Sequence, residues 1–375
     1  RVLSAMQPYF TEKFYNPSAS YLPAKHIREE YEARKAVLAN SIGAKSPDLV
    51  ITAGATESIN LAFTVLRNFQ SAHCLILETE HAAVRESAKN LSSDYDEIKV
   101  DRSGLIDLED LKSKIKDNTV LVSVALANNE LGTIQPLSDI SRILQEVRDQ
   151  RLKTKNLTPI YLHSDASQAM NLIDLSVARL GVDLLTINAA KVYGPKGIGA
   201  LYVARGIKLS PITFGGGQEM GLRSGTENVP SLVGFSVASE LAKKHLVSSR
   251  KQYQVLTKTF REIIEQKSKI TPLWLGNPKH QLANFIPVCF DGLDTERLIF
   301  KLEDRGIYVS TGAACAASKG QKSHVLSAIG LSDSEIAGSL RITLGKDTTI
   351  EDIKTAADNL AEVVNLEARR LKLID

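Results

Sequence analysis

Hydrophobic and polar positions divide the chain into two regions with different patterns. Between residues 27 and 245, short apolar runs alternate with stretches of helical periodicity. The seven apolar runs, each of strand length, are 49–52, 73–78, 97–100, 120–125, 160–164, 183–188 and 200–204. Helical stretches lie between them at 27–41, 57–68, 82–91, 138–150 and 177–180. This alternation predicts an α/β domain with a mainly parallel, seven-stranded sheet.

The pattern changes after residue 246. A helical stretch at 249–267 is followed by short runs at 270–275, 284–290 and 339–344, with further helices predicted at 295–305 and 350–371. Thr349 is the expected N-cap of the last helix, with Asp352 at its third position. We predict a large domain over 12–246 and a smaller α+β domain over 247–375, with residues 1–11 packed against the smaller one.

Composition narrows the class of protein. The 375 residues are 43% hydrophobic and 24% charged with a net charge of +3, which is typical of a soluble globular protein and implies no nucleic-acid partner. The three cysteines, Cys74, Cys289 and Cys315, are too far apart for a disulfide framework and favour a reducing compartment. Without a membrane-spanning run or a signal peptide, we expect a cytoplasmic enzyme. The chain lacks an initiator Met, so we expect the natural protein to begin earlier.

Ligands of parallel sheets collect where strands end and helices begin, so polar residues at those points are candidates for chemistry. Ala55 and Thr56 open a helix whose free amides suit a phosphate, although the segment taken alone favours a simple N-cap by Thr56. His81 stands at another strand–helix junction, where a single histidine is more often structural than catalytic. Asn129 belongs to an Asn-Asn pair that is also typical of a turn.

Two further strand ends carry charged side chains. Asp165 ends an apolar strand, where a carboxylate needs a partner such as a cationic ring nitrogen, an Arg or a helix cap. Lys191 follows the run that ends at Asn188 and precedes a Gly-Pro turn. A loop lysine is usually solvated, but in a cleft near cations its neutral amine can form a Schiff base. The nearby Gly197-Ile198-Gly199 precedes a strand, so it is not a dinucleotide fingerprint.

Three features follow these strand ends in the chain. A glycine-rich segment, 215–228, allows close approach of backbone to a ligand or forms a mobile loop. Cys315 stands among small residues that leave a thiol accessible, whereas Cys74 and Cys289 lie in apolar runs and are predicted to be buried. Arg341 interrupts an apolar strand, where it suits either an ion pair or a substrate carboxylate.

Taken in order, these segments resemble the cysteine desulfurases of the class V aminotransferase-like group, and the loop spacing around Cys315 resembles their group I. The resemblance covers nearly the whole chain, through the motifs 16–18, 55–58, 80–81, 128–132, 165–168, 191–197, 223–228, Cys315 and the Arg341 strand. It implies the PLP-dependent transferase fold type I, pyridoxal 5'-phosphate as cofactor, and a homodimer.

The resemblance also implies a cofactor-binding set, namely Ala55, Thr56, His81, Asn129, Asp165, Gln168, Asn188, Lys191 and Thr226. Within it, Lys191 forms the Schiff base, Asp165 pairs with the pyridinium nitrogen and Gln168 contacts the phenolate oxygen. The Ala55 amide and Thr56 hold the phosphate. His81 stacks on the ring, Asn188 can hydrogen-bond to the cofactor, and Thr226 reaches the phosphate of a neighbouring subunit.

For catalysis, the resemblance implies that Lys191 and His81 move protons and that Cys315 takes the sulfur of L-cysteine as a persulfide. Arg341 and Asn129 bind the substrate, and L-alanine leaves. The sulfur would pass to an iron–sulfur scaffold or a tRNA-thiolation protein. No resident metal is expected, with Cys315 a candidate transient cluster ligand.

Two alternatives stay open at this point. The same lysine segment fits a selenocysteine lyase or another class V aminotransferase-like enzyme. Cys315 is the residue that distinguishes a cysteine desulfurase from these enzymes. A weakly catalytic sulfur-assembly subunit is the second alternative. It is motivated by Ala190, which replaces a frequent His, and by the lack of the family's opening strand.

Overall fold

The computed structural model describes residues 1–92, 94–312 and 322–375. It divides into two compact units: unit 1 comprises 1–98, 108–127 and 135–246, and unit 2 comprises 99–107, 128–134 and 247–375. Residues 1–11 belong to unit 1, so their expected packing with the smaller domain is wrong. Met6 is buried, and a Cβ on Gly234 would lie only 2.5 Å from its sulfur. Glycine at 234 therefore permits the contact that holds this segment.

Unit 1 contains a seven-stranded sheet of order β1-β7-β6-β5-β4-β2-β3. The strands are β1 Leu49–Thr52, β2 His73–Leu77, β3 Asp94–Ile98, β4 Thr119–Ser123, β5 Tyr161–Asp165, β6 Leu184–Asn188 and β7 Gly199–Val203. The helices of this unit are α1 Val2–Met6, α2 Pro8–Thr11, α3 Leu22–Ser41, α4 Ala55–Phe63, α5 Ala82–Leu91, α6 Leu108–Lys114, α7 Leu137–Lys153 and α8 Val177–Leu180. Helix α9, Val229–Lys267, begins in unit 1.

Strand direction explains how the sheet gathers its loops. Strands β2 to β6 pair in parallel, whereas β7 is antiparallel to both β6 and β1. Because β7 is antiparallel to both neighbours, β1 and β6 run parallel to each other. The carboxyl ends of all strands except β7 thus meet at one edge. Every residue of β1, β2 and β4 is buried, because both faces of the sheet are covered.

Unit 2 contains an antiparallel sheet of order β10-β11-β9-β8. Its strands are β8 Leu273–Trp274, β9 Phe285–Cys289, β10 Ser310–Thr311 and β11 Ser339–Thr343, and its helices are α10 Thr295–Glu303, α11 His324–Ala328, α12 Asp333–Ala337 and α13 Ile350–Arg370. The predicted cap of α13 is confirmed, since Thr349 and Asp352 form a capping box. Cys74 and Cys289 are buried free thiols, as predicted.

Two predicted strands differ from the structure by more than two residues at one boundary, and the sequence prediction does not include β10. Strand β3 lies at Asp94–Ile98 rather than 97–100, because this edge strand is only half-buried and carries a weak apolar signal. The run at 270–275 shortens to β8, since Pro272 cannot donate to a ladder. Among the described residues, no helix combines the length and apolarity needed to cross a bilayer.

Candidate active site

The carboxyl edge of the unit 1 sheet brings three candidate segments together. Gly199 of β7 is the register partner of Thr52 on one side and of Asn188 on the other. A Cβ on Gly199 would lie 2.8 Å from the Cα of Gly54, so glycine there lets the two chains approach closely. The start of α4 therefore lies beside the end of β6, and Asp165 ends the neighbouring strand β5.

Lys191 lies in a tight 3-10 turn, Ala189–Lys191, directly after β6. The side-chain oxygen of Asn188 accepts a hydrogen bond of 3.2 Å from the Ala190 amide and caps the turn. The Ala189 carbonyl accepts from the amide of Gly194 at 2.9 Å and closes the loop. Buried Ala189 anchors the turn, while the Lys191 side chain is exposed at its end. The amine is thus presented on a rigid backbone.

Asp165 is a half-buried carboxylate at the end of β5. One carboxylate oxygen accepts a 2.9 Å hydrogen bond from the Ser167 amide, and the Asp165 carbonyl accepts from the Leu126 amide at 3.0 Å. No Lys, Arg or His of the described ranges forms an ion pair with it. A partly desolvated carboxylate without a cation fits a pyridinium nitrogen. Gln168, also half-buried, follows in the same turn.

The first turn of α4 is free of a side-chain cap within the described chain. Its N-cap is Gly54, so the alternative N-cap at Thr56 is wrong. Because no side chain occupies the first amides, they fit a phosphate, with Ala55 at the helix start and Thr56 exposed next to it. Glu57 completes the turn, accepting from the Ala53 amide at 2.6 Å and from Arg223 at 3.1 Å.

His81 is the N-cap of α5, and its Nδ1 accepts a hydrogen bond of 3.0 Å from the Ala83 amide. This contact makes Nδ1 the unprotonated nitrogen and leaves Nε2 for proton exchange. Glu80 before it is fully buried and accepts from the Ala125 amide at 2.6 Å. The pKa of Glu80 is raised to about 8, chiefly by burial, which outweighs the lowering effect of the Ala125 hydrogen bond and is reinforced by the nearby Asp165 charge.

The glycine-rich loop is anchored by a carboxylate. Glu219 accepts hydrogen bonds from the Tyr31 hydroxyl, from Lys35 at 2.7 Å and from the Ile51 amide at 2.9 Å. Glu219 itself has a positive φ of 47°, which is strained for a non-glycine residue. These contacts tie the loop to α3 and β1, and Thr226 is exposed further along it.

Asn129 and Arg341 belong to unit 2 and contact each other. Arg341 lies on β11 between Pro287 of β9 and Ser310 of β10, and its guanidinium donates to the Asn129 carbonyl at 3.0 Å. The preceding Asn128 forms the turn that the sequence left open, as its side-chain oxygen accepts two backbone amides. Cys315 lies outside the described residues.

Several acidic residues within the quoted motifs received no role from the sequence, among them Glu57, Glu80 and Glu130. Glu57 holds the start of α4, Glu80 lies beneath the carboxyl edge, and Glu130 is buried in unit 2. Each is adjacent in sequence to a residue that was assigned a role. The distant donors to these carboxylates, Arg223, Ala125 and Ser323 respectively, cannot be read from the local pattern, so only position within a motif could have indicated them.

The class-V aminotransferase family model matches residues 1–355. The chain belongs to the class-V aminotransferase family. Enzymes of this family, including its cysteine desulfurases, use pyridoxal phosphate, which confirms the cofactor expected from the sequence.

Similar proteins of this family match over most of their length. "Cysteine desulfurase IscS 1" of Archaeoglobus fulgidus is 40% identical, covering 99% of this chain and 94% of that protein. "Cysteine desulfurase IscS" of Methanosarcina thermophila is 37% identical, covering 97% and 88%. A solved NifS-like protein superposes with a TM-score of 0.88 at 32% identity, covering 98% and 96% of the two chains, and confirms the predicted fold class. The structure "SspA in complex with cysteine" is 33% identical with a TM-score of 0.78, covering 92% and 94%.

Proposed function

We propose that this chain is a pyridoxal-phosphate-dependent cysteine desulfurase that converts L-cysteine to L-alanine. One observation carries the proposal: the half-buried Asp165 carboxylate ends β5 and the exposed Lys191 amine lies in the turn after the adjacent strand β6, beside the uncapped start of α4. The similar proteins that are named cysteine desulfurases support the substrate and the reaction.

These positions indicate which groups would bind the cofactor. The first amides of α4, with Thr56, would hold the phosphate, and Asp165 would balance the charge of the ring nitrogen. Gln168 and Asn188 supply hydrogen bonds from the same edge of the sheet, and Thr226 serves a neighbouring subunit. Bound pyridoxal phosphate supplies an electron sink for the bond electrons at the substrate Cα.

Different side chains would then carry out proton transfer and substrate binding. Lys191, which binds the cofactor covalently at rest, removes and returns the proton at Cα. His81 holds or delivers a proton through Nε2, since Nδ1 is occupied by Ala83. Arg341 binds the substrate carboxylate as a charged fork, and Asn129 contacts the substrate.

The sulfur step needs a thiolate at Cys315. That thiolate attacks Sγ of the bound cysteine, so a new S–S bond forms while the Cβ–Sγ bond breaks. The electron pair of the broken bond returns to Cβ, which takes up a proton and completes L-alanine. The products, a Cys315 persulfide and L-alanine, contain all the atoms of one thiol and one cysteine, without an external oxidant or reductant.

The proposal also covers the oligomeric state, the sulfur acceptor and the cellular location. Phe214, directly before the glycine-rich loop, and Met220 within it are 81% and 57% exposed, and such apolar exposure supports a homodimer. The persulfide would pass to an iron–sulfur scaffold or a tRNA-thiolation protein. The free thiols Cys74 and Cys289 support a reducing, cytoplasmic setting. Light scattering of wild type and Phe214→Glu tests the dimer, which the charge should weaken.

The central test supplies pyridoxal phosphate and L-cysteine and measures alanine together with the mass of Cys315. Wild type should form alanine and gain one sulfur on Cys315, whereas Cys315→Ala should do neither. A Cys315→Ala protein that still releases sulfide at the wild-type rate would refute the role of this thiol. Turnover of selenocysteine alone would favour the lyase, and no turnover at all would favour a binding subunit. Asp165→Asn retains the acceptor for Ser167, so a loss of turnover without a loss of folding would implicate its charge.

A further inference from the structure

Glu130 is a carboxylate buried in unit 2, with an exposed fraction of only 4%. Its Oε2 accepts a hydrogen bond of 2.6 Å from the Ser323 hydroxyl. The same oxygen would lie 3.1 Å from a Cβ on Gly312. Gly312 and Ser323 stand on either side of residues 313–321, which include Cys315. One buried carboxylate therefore contacts the chain both before and after that segment.

The direction of the Ser323 hydrogen bond is determined by a second contact. The Ser323 oxygen accepts from the Leu326 amide at 3.1 Å and so caps α11. Its hydroxyl hydrogen is then directed to Glu130. Leu326 also reaches Gly312, since a Cβ there would lie 2.9 Å from its methyl carbon. Gly312, Ser323 and Leu326 thus form one packed group around Glu130.

Glu130 is connected in the other direction to Arg341. Burial raises the pKa of Glu130, while the Ser323 hydrogen bond and the positive charge of Arg341 lower it. Asn129, the residue before Glu130, accepts the Arg341 hydrogen bond through its carbonyl. A shift of Glu130 would therefore disturb the flanks of 313–321 and the Asn129–Arg341 pair together.

We propose that Glu130 is a positioning residue for sulfur transfer, which holds both flanks of the Cys315-bearing segment in fixed relation to Asn129 and Arg341. The role rests on the proposed desulfurase function. Joining the two ends of a segment restricts the volume that its side chains can sample. Attack of a thiolate on sulfur depends on such placement, because a misplacement of about 1 Å costs on the order of a hundredfold in rate.

A pair of substrates separates this role from cofactor or substrate binding. L-Cysteine requires attack by Cys315, whereas β-chloro-L-alanine loses chloride without a nucleophile and yields pyruvate and ammonium with one water. Glu130→Ala and Ser323→Ala should lower kcat for L-cysteine by about tenfold or more. Chloride elimination and the KM for L-cysteine should stay within about threefold of wild type.

Two matched variants serve as controls. Glu130→Gln retains an oxygen that can accept from Ser323, so it should restore most of the cysteine turnover. Ser332→Ala removes the corresponding N-cap of α12, whose hydroxyl oxygen accepts from the Glu335 amide and does not contact the Glu130 carboxylate, and it should leave both reactions unchanged. If Glu130→Ala does not fold, the comparison of Ser323→Ala with Ser332→Ala decides the matter.

Equal losses of both reactions in Glu130→Ala and Ser323→Ala would overturn the positioning role, as would undiminished cysteine turnover. A wild-type protein that eliminates chloride but forms no alanine from L-cysteine would instead refute the proposed function, and this role with it.

Discussion

The carboxylate of Glu80 accepts a 2.6 Å hydrogen bond from the amide of Ala125, which joins the chain after β2 to the chain after β4. The next amide, Leu126, donates to the carbonyl of Asp165 at the end of β5. Three strand ends are thereby connected beneath the candidate cofactor site. The buried carboxyl that makes this connection has a pKa raised to about 8, mainly by burial.

Glu80 should therefore make stability fall as the pH rises. An acid whose pKa is higher in the folded protein than its ordinary 4.5 contributes stability that is complete below that value and is lost through about pH 8. Urea unfolding of the cofactor-loaded protein from about pH 5 to 8 should show a steeper decline for wild type than for Glu80→Gln. The exposed Glu86→Gln is the control and should follow wild type. Parallel curves for all three proteins would contradict the raised pKa.

Lys191 and Lys196 are exposed lysines of the same loop, and they provide a matched pair. Lys191→Ala should abolish the visible absorbance of covalently bound cofactor and lower turnover by about 10²–10⁴-fold, since it removes both the attachment and the proton carrier. Lys196→Ala should retain both properties. Covalent cofactor that persists after Lys191→Ala, detected by mass after borohydride reduction, would exclude Lys191 as the attachment site.

His81 caps α5, and two substitutions can separate this structural role from its proposed catalytic role. Asparagine is a good N-cap and can replace the Nδ1 acceptor for the Ala83 amide, whereas alanine cannot. His81→Asn should therefore keep about 1 kcal/mol more stability than His81→Ala. Both should lose about 10²–10⁴-fold in turnover if the imidazole transfers a proton. Normal turnover in His81→Asn would restrict this histidine to capping.

Glu367 on α13 should protect unit 2 at neutral pH but not in acid. Burial acts to raise its pKa, but hydrogen bonds from Lys301, Arg370 and Arg297 lower it to about 2. A depressed pKa contributes stability above about pH 4.5 that is lost as the pH falls towards 2. Glu367→Gln should lose about 1–2 kcal/mol of unfolding free energy at pH 7, with the difference from wild type shrinking in acid. A pH-independent difference would attribute the effect to packing.

Local pattern was enough to predict the character of both sheets and most of their elements. Apolar runs and helical periodicity reflect contacts each segment makes on its own face, so the strands other than β10 and the cap at Thr349 could be predicted without the fold. Edge strand β3 was misplaced because exposure weakens that signal. The order of motifs from Ala55 to Arg341 likewise indicated the family before any geometry was known.

The tertiary structure alone determines which residues contact one another. The reversal of β7 places Gly54 beside Gly199 and so brings the start of α4 to the end of β6, although short runs carry no information about strand direction. Burial of Glu80 and Glu130 depends on segments distant in the chain. The sequence by itself thus determined the elements and the order of the chemical groups. Long-range pairing determined the partners of those groups, because hydrogen bonding and desolvation depend on neighbours that periodicity does not identify.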